Sequence, residues 1–325
     1  MRPLDLLTSP LRRAALHPRL TSHVVRLVEG AGAHTLTDRI DAARSSGDIV
    51  AVTVPAGPSA LRSRRLRMYS MDDRDQVVRA LRDGGWHAFE APLPSVMVRL
   101  VRRWPGTFLD VGANTGVYAL LAVTAHPRCR ALAFEPVPEL ADLLRNNVAA
   151  NPQGRRIHVR EIAIGDHSGV AQLHLPPAQQ DGTIETSASL DPRFKETIDR
   201  IVQVEMSTLD DAWATAGHPP VTVIKVDVEG AEPRVIAGAH DLIATHRPLL
   251  AVEVLPRVDA EIYDRLLDDH RYVDVTLNPR EAVVNRPRVT PEPLAPNHLL
   301  VPWERLQAVV DDLKTIPRLK VTLLD

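Results

Sequence analysis

From residue 107 onward the chain alternates short apolar runs with amphipathic ones, and this constrains its fold more than any other feature. TFLDV, ALAFE, IHVREIAI, VTVIKVDV and PLLAVEV have the length and branching of buried strands. TGVYALLAVTAH, PELADLLRNNVAAN, AEPRVIAGAHDLIATH and DAEIYDRLLDDH between them have helical spacing. In PELADLLRNNVAAN, for example, Leu140, Leu143, Leu144 and Val148 fall on one face. VAQLHL, IVQVEMSTL, YVDVTL and HLLVP are read as further strands. Strands buried on both faces and separated by helices predict an α/β fold with a mostly parallel sheet covered on both sides. In such sheets ligands bind beyond the carboxyl ends of the strands. Attention therefore falls on Asp110 to Gly116, Glu135, Ala163 to Asp166, Asp227 to Glu229, and Glu253.

Upstream the pattern is different. Residues 1–47 read as short helices broken by Pro10, Pro18 and Gly30. DIVAVTVP (48–55) and RRLRMYS (64–70) bracket a Pro/Gly/Ser loop as a hairpin would. DDRDQVVRALRDGG has acids at its start and glycines at its end, as a helix requires. Two segments are expected: a helical and hairpin extension over 1–104 and an α/β domain over 105–325. The extension carries 17 arginines against 10 acids. These arginines are scattered among apolar residues, so they read as solvated faces and no nucleic-acid partner is expected. The N-terminus lacks the uninterrupted apolar core of a secretory signal, and no stretch reaches the ~18–20 apolar residues of a membrane span. A soluble cytoplasmic protein is expected. Cys129 is the single cysteine, which excludes an internal disulfide, and it reads as a packed side chain.

The turn after the first strand, DVGANTG, resembles a nucleotide loop but departs from the phosphate-binding types. A dinucleotide fingerprint needs G-x-G-x-x-G; here the spacing is G-x-x-x-G, with Asn114 at the second glycine position and Val117 at the third. No G-x-x-x-x-G-K-[ST] occurs, so a P-loop is excluded, and no Y-x-x-x-K pair supports an epimerase or dehydrogenase. Asp110 would repel a diphosphate but attract an ammonium or sulfonium group. Glu135 ends the next strand, placed to accept bonds from both hydroxyls of a ribose, and Pro136 fixes the chain as it leaves. An adenosine with a charged amino-acid tail, S-adenosylmethionine, fits both acids.

KVDVEGAE closes a later strand with several ionisable groups. Strand alternation puts Lys225, Asp227 and Glu229 on one face if the strand persists that far, and Gly230 permits a sharp exit. Glu232 and Pro233 suit the first turn of a helix, where an acid favours the dipole. Charged groups at an apolar strand end are costly unless paired or used. Asp227 and Glu229 are therefore candidate bases, with Lys225 as partner of Asp227 and Glu253 from LLAVEVLP able to join them. Such carboxylates are also able to hold a divalent metal, although a metal is not favoured and no ligand set is assigned. The 13 histidines contain no H-x-H or H-x-x-x-H pair, and His167 and His298 read as surface or packing residues.

Taken together, DVGANTG, AFEPVPE, HVREIAIGDHSGVAQL, VEMSTLDD and KVDVEGAEPRVIAGA resemble the FkbM-type S-adenosylmethionine-dependent methyltransferases over about residues 84–256. The resemblance implies a class I methyltransferase (Rossmann-like) fold with seven strands, and O-methylation of a hydroxyl on a natural product, sugar or glycolipid. By matching position, Asp110, Gly112, Asn114, Thr115 and Gly116 correspond to the turn holding the methionine end. Glu135 and Pro136 correspond to the ribose site, and Ala163, Ile164 and Asp166 to the segment reading the adenine edge. Glu90, in GWHAFEAP, matches a position near the cofactor's amino group. Trp86 and Phe89 depart from the smaller or tyrosyl residues frequent there. They and Tyr69 are candidates for the substrate pocket or for core packing, and the polar loop QQDGTIETSASLD (179–191) for a flap. The partner implied is a small hydroxylated acceptor, with a homodimer possible. An N-methyltransferase and a non-catalytic cofactor-binding module are the alternatives.

Overall fold

The computed structural model describes residues 49–55, 64–177, 187–256, 258, 261–286 and 288–324. The helices read over 1–47 and most of the 179–191 loop lie outside them. The α/β expectation is met by a nine-stranded sheet of order β14-β12-β11-β13-β10-β9-β3-β4-β5. Its members are β3 (Thr107–Val111), β4 (Arg130–Phe134), β5 (Ile157–Arg160), β9 (Val221–Val226), β10 (Leu249–Glu253), β11 (Tyr272–Asn278), β12 (Glu281–Arg286), β13 (Asn297–Pro302) and β14 (Lys320–Leu323). From β5 to β10 all neighbours are parallel. The strand β13 then inserts antiparallel between β10 and β11. The seven strands from β5 to β11 are those expected, and β12 and β14 widen the far edge. Neither EAVVNR nor KVTL carries a period long enough to have been read as a strand.

The order of winding reverses at β3, whose parallel neighbours β4 and β9 lie on either side, so the carboxyl ends of these three strands frame a crevice. The first helix after β3 is the most buried. All nine residues of α3 (Val117–Ala125) are buried, which is why its sequence is apolar all round rather than striped. It starts at Gly116, held at φ 89°, where an added Cβ would sit 2.1 Å from Leu144 Cδ1. Its last carbonyls receive Arg64, Arg102 and Arg156 side chains, cations suited to a helix carboxyl end.

The predicted hairpin is present: β1 (Ile49–Thr53) and β2 (Arg65–Tyr69) pair antiparallel, Ile49 opposite Tyr69. It is followed by α1 (Gln76–Gly84), capped by the Asp75 carboxylate on the Val77 and Val78 amides, and by α2 (Leu93–Arg103). Val52, Leu66, Leu81 and Phe89 share one apolar cluster with α3 and the sheet. Trp86 donates to the Thr53 carbonyl at 2.7 Å, so its indole ties the hairpin down.

Two elements differ from the reading of the sequence. IHVREIAI divides after Arg160: β5 stays in the main sheet, while β6 (Ala163–Gly165) joins β8 (Arg200–Thr208) and β7 (Gly169–Leu175) in a small three-stranded sheet. The run AEPRVIAGAHDLIATH forms two short helices, α6 (Glu232–Ala237) and α7 (His240–His246). The break falls at Gly238, where an added Cβ would lie 2.1 Å from the Gly165 carbonyl oxygen. Asp210, on α5 (Leu209–Thr215), then accepts the Asp241 and Leu242 amides and restarts the helix. Helices α4 (Pro138–Ala149), α8 (Glu261–Asp268) and α9 (Leu306–Lys314) complete the covering layers. Among the described residues no helix is long and apolar enough to cross a membrane.

Candidate active site

A cleft of about 900 Å³, counting its open mouth, lies over the carboxyl ends of β3, β4 and β9. Its lining includes Glu90, Asp110, Gly112, Asn114, Thr115, Glu135, Pro136, Ala163, Ile164, Lys225, Asp227 and Glu229, all singled out from the sequence. Gly116, Asp166 and Glu253 are not among the lining residues.

The turn after β3 is held by contacts that only its sequence permits. Gly112 has φ 76°, and a Cβ there would stand 1.9 Å from the Asp227 carbonyl oxygen. The amides of Gly112 and Ala113 both donate to the Phe134 carbonyl, and the Asp227 amide donates to that of Val111. Asn114 takes φ 53° and accepts the Thr115 amide on its own side chain at 2.7 Å. Glu90 and Glu229 are also left-handed, at φ 44° and 59°. Side chains adopt this region at a cost of order 1–3 kcal/mol, and such residues concentrate at ligand sites.

The two acids inferred to meet the cofactor also build the fold. Asp110, 1% exposed, accepts the Ala119 amide on Oδ2 at 2.8 Å and so caps α3 from the preceding strand. Its Oδ1 is buried with no hydrogen-bond partner. Burial pushes the carboxyl up to about 7, against the opposing pull of Lys225. Glu135 accepts the Asn114 amide at 2.8 Å and the Val137 amide at 3.0 Å, and burial raises it, too, to about 7. None of these three bonds was legible in the sequence.

Lys225, 4% exposed, donates to Asp227 Oδ2 at 2.9 Å and stands 4.7 Å over the ring of Tyr118. Burial works against its charge, but Asp227, Glu90 and Asp110 outweigh burial and raise its pKa. Tyr118 donates its hydroxyl to Glu90 Oε2 at 2.7 Å. Sequence reasoning missed Tyr118; its position directly after the glycine turn was the available signal. Glu232 accepts the Val228 and Gly230 amides, the structural role expected of it. Carboxylate oxygens of Asp227, Glu232 and Glu253 come within 4.8 Å of one another. The meeting foreseen for Asp227, Glu229 and Glu253 thus takes in Glu232 as its third carboxylate.

The same cleft has an apolar slot lined by Phe134, Ile162, Ala163, Ile164, Leu173 and Leu190. Asp166 points elsewhere, paired with Arg234 at 2.9 Å. Ser189, from the described end of the 179–191 loop, donates to the Glu229 carbonyl at 2.8 Å. Of the aromatic residues considered for a pocket, Phe89 lines the cleft and Tyr69 packs in a separate buried cluster. Cys129 is buried, which pushes its thiol up to about 12. His167 is exposed beside Asp166, and His298 is buried against Asp274.

The methyltransferase FkbM domain matches residues 110–277, just over half the chain. The 2-O-methyltransferase NoeI of Sinorhizobium fredii is 30% identical over 161 residues, covering 46% of this chain and 64% of NoeI. The 31-O-demethyl-FK506 methyltransferase FkbM of Streptomyces tacrolimicus is 29% identical over 157 residues, covering 41% and 58%. The hexuronic acid methyltransferase AglP of Haloferax volcanii is 29% identical over 160 residues, covering 49% and 60%. The chain thus spans less than two thirds of the length of each of these relatives. A solved FkbM methyltransferase from Methylobacillus flagellatus superposes with a TM-score of 0.42 at 17% identity, covering 69% of this chain and 54% of that one.

Proposed function

The chain belongs to the methyltransferase FkbM family, and from that membership we propose that it moves a methyl group from S-adenosylmethionine to a hydroxyl of a small hydroxylated acceptor. The observation that carries this reading is the meeting, in one cleft, of a phosphate-averse glycine turn with Asp110, Glu135 and Asp227. The residues present fit the cofactor. The unpartnered Oδ1 of Asp110 suits a cationic donor, and Glu135 keeps acceptor capacity beyond its two amide bonds. The apolar slot from Phe134 to Leu190 suits an adenine.

When bound, S-adenosylmethionine supplies a methyl group on a positively charged sulfur. The chain's own work is alignment and proton handling. Asp110 and Glu90 draw the amino group, Glu135 takes the ribose hydroxyls, and the backbone at Gly112 to Thr115 follows the methionine end. Asp227 accepts a hydrogen bond from the acceptor hydroxyl and its proton as the carbon–oxygen bond forms. Glu229, with its backbone carbonyl tied to Ser189, orients the same group. Lys225 holds Asp227 in place through their 2.9 Å bond. Positioning of this kind counts because the nucleophile must sit within ~3–3.5 Å of the methyl carbon in line with the breaking bond.

The test is to incubate the full chain with S-adenosylmethionine and a panel of neutral sugars, polyols and hydroxylated natural products, then fragment the products by mass spectrometry. A product heavier by one methylene, with the increment on an oxygen, supports the proposal. An increment on nitrogen contradicts the O-methylation.

A further inference from the structure

Tyr118 stands between two opposite charges. It is the second residue of α3, 3% exposed, and its hydroxyl donates to Glu90 Oε2 at 2.7 Å. The face of its ring carries the Lys225 ammonium at 4.7 Å, and Lys225 in turn donates to Asp227. Glu90, Lys225 and Asp227 all line the cleft. Glu90 and Lys225 come from distant parts of the chain, and one side chain touches both. A tyrosine that only filled the core would need an apolar neighbour and any one partner for its hydroxyl. Phe89, with its centroid 6.0 Å away, supplies the apolar neighbour. That reading does not account for an ammonium on the ring face opposite a carboxylate at the hydroxyl.

The charges explain the arrangement. A lysine free to swing would pair directly with Glu90 and neutralise it. A ring face attracts a cation without cancelling its charge, and a phenol donates to a carboxylate while leaving it anionic. The spacer therefore keeps Lys225 committed to Asp227 and leaves Glu90 negative. Building on the proposed methyl transfer, we propose that Tyr118 is a positioning residue that separates Lys225 from Glu90, so that Glu90 faces the amino group of the cofactor as an anion. Glu90 and Asp110 then form a pair of carboxylates for the amino group, and Lys225 and Asp227 serve the acceptor.

Calorimetric titration of the full chain with S-adenosylhomocysteine, which needs no acceptor, tests this. Tyr118→Phe keeps the ring and removes the donor; it should weaken binding about tenfold, the scale of one lost charge-assisted bond. In a Glu90→Gln background the same change should have almost no further effect. Equal weakening in both backgrounds, or none in either, overturns the inference. Tyr118→Leu removes the spacer and should weaken binding more than Tyr118→Phe. Adding Lys225→Met should return part of that loss, because the quenching cation is gone; failure to recover any affinity overturns the spacer role. A wild-type chain that does not bind S-adenosylhomocysteine defeats the proposed function itself and this inference with it, whereas wild-type binding with an additive Glu90–Tyr118 cycle defeats the inference alone.

Discussion

Glu135 Oε2 accepts the backbone amide of Asn114 at 2.8 Å, so the carboxylate at the end of β4 holds the glycine turn at the end of β3. One side chain thus shapes the floor of the cleft and offers its remaining lone pairs to a ligand. A substitution there has two effects that can be measured separately.

Glu135→Gln retains the shape but exchanges one acceptor oxygen for a donor, while Glu135→Ala removes both amide bonds. S-adenosylhomocysteine affinity should fall in both. Thermal stability should fall further in the alanine variant, where two buried amides lose acceptors at a cost of ~1–3 kcal/mol each. Calorimetry and thermal denaturation separate the two effects; unchanged affinity in both variants removes the ribose role.

The raised carboxyls predict a pH dependence whose sign is fixed. Asp110, Glu135 and Glu232 are each pushed by burial to about 7 in the folded chain, above their ordinary values near 4. Their protonated forms are favoured by folding, so this contribution is full at low pH and is lost as pH rises through about 7. Thermal unfolding of the ligand-free chain should show a declining midpoint between pH 5 and 8 (, roughly this window). Asp110→Asn should flatten the decline. A steeper decline in that variant contradicts the assignment to Asp110.

Cofactor affinity should move in the opposite direction. A cationic amino group prefers ionised Asp110, so binding should tighten as pH rises through about 7. Asp110→Asn should be weak at every pH. Affinity that is independent of pH in the wild type would show that Asp110 does not meet the cation.

Asp227→Asn should leave S-adenosylhomocysteine affinity within about threefold and lower turnover by ~10²–10⁴, the usual contribution of a positioned base. Glu229→Gln measured beside it divides proton acceptance from orientation. Wild-type turnover in Asp227→Asn refutes its role.

Gly112→Ala tests the turn itself. The new Cβ meets the Asp227 carbonyl oxygen at 1.9 Å, at a left-handed φ of 76°. Backbone cannot yield as a flexible side chain does, so the turn must shift or the chain must destabilise by several kcal/mol, ~3 or more. Urea unfolding checks this; a midpoint equal to wild type contradicts the close packing of the turn on Asp227.

The particular residues show which features the sequence revealed. The mostly parallel sheet covered by helices followed from alternating apolar and amphipathic runs, because burial on both faces leaves few other folds. Lys225 beside Asp227 followed from the two-residue period of a strand. Asp110 and Glu135 were legible as strand-end acids, but their amide bonds to Ala119 and Asn114 join segments whose separation no local pattern encodes. Tyr118 follows the glycine turn but sits in a helix that is apolar all round, and its partners Glu90 and Lys225 are 28 residues before it and over a hundred after. Gly238 lay inside a run read as one helix, and nothing local shows that the Gly165 carbonyl fills the space its Cβ would need. Strands β12 and β14 were missed because neither EAVVNR nor KVTL carries a long period of its own; β14 lies at the edge of the sheet and β12 between β14 and β11.

The central claim is that the cleft takes a sulfonium nucleotide and not a dinucleotide. Parallel calorimetric titrations of the full chain with S-adenosylmethionine and with NAD test it directly. Saturable binding of S-adenosylmethionine, strongly weakened in Glu135→Ala, is expected, with no heat of binding from NAD. Tight binding of NAD with S-adenosylmethionine silent would contradict it.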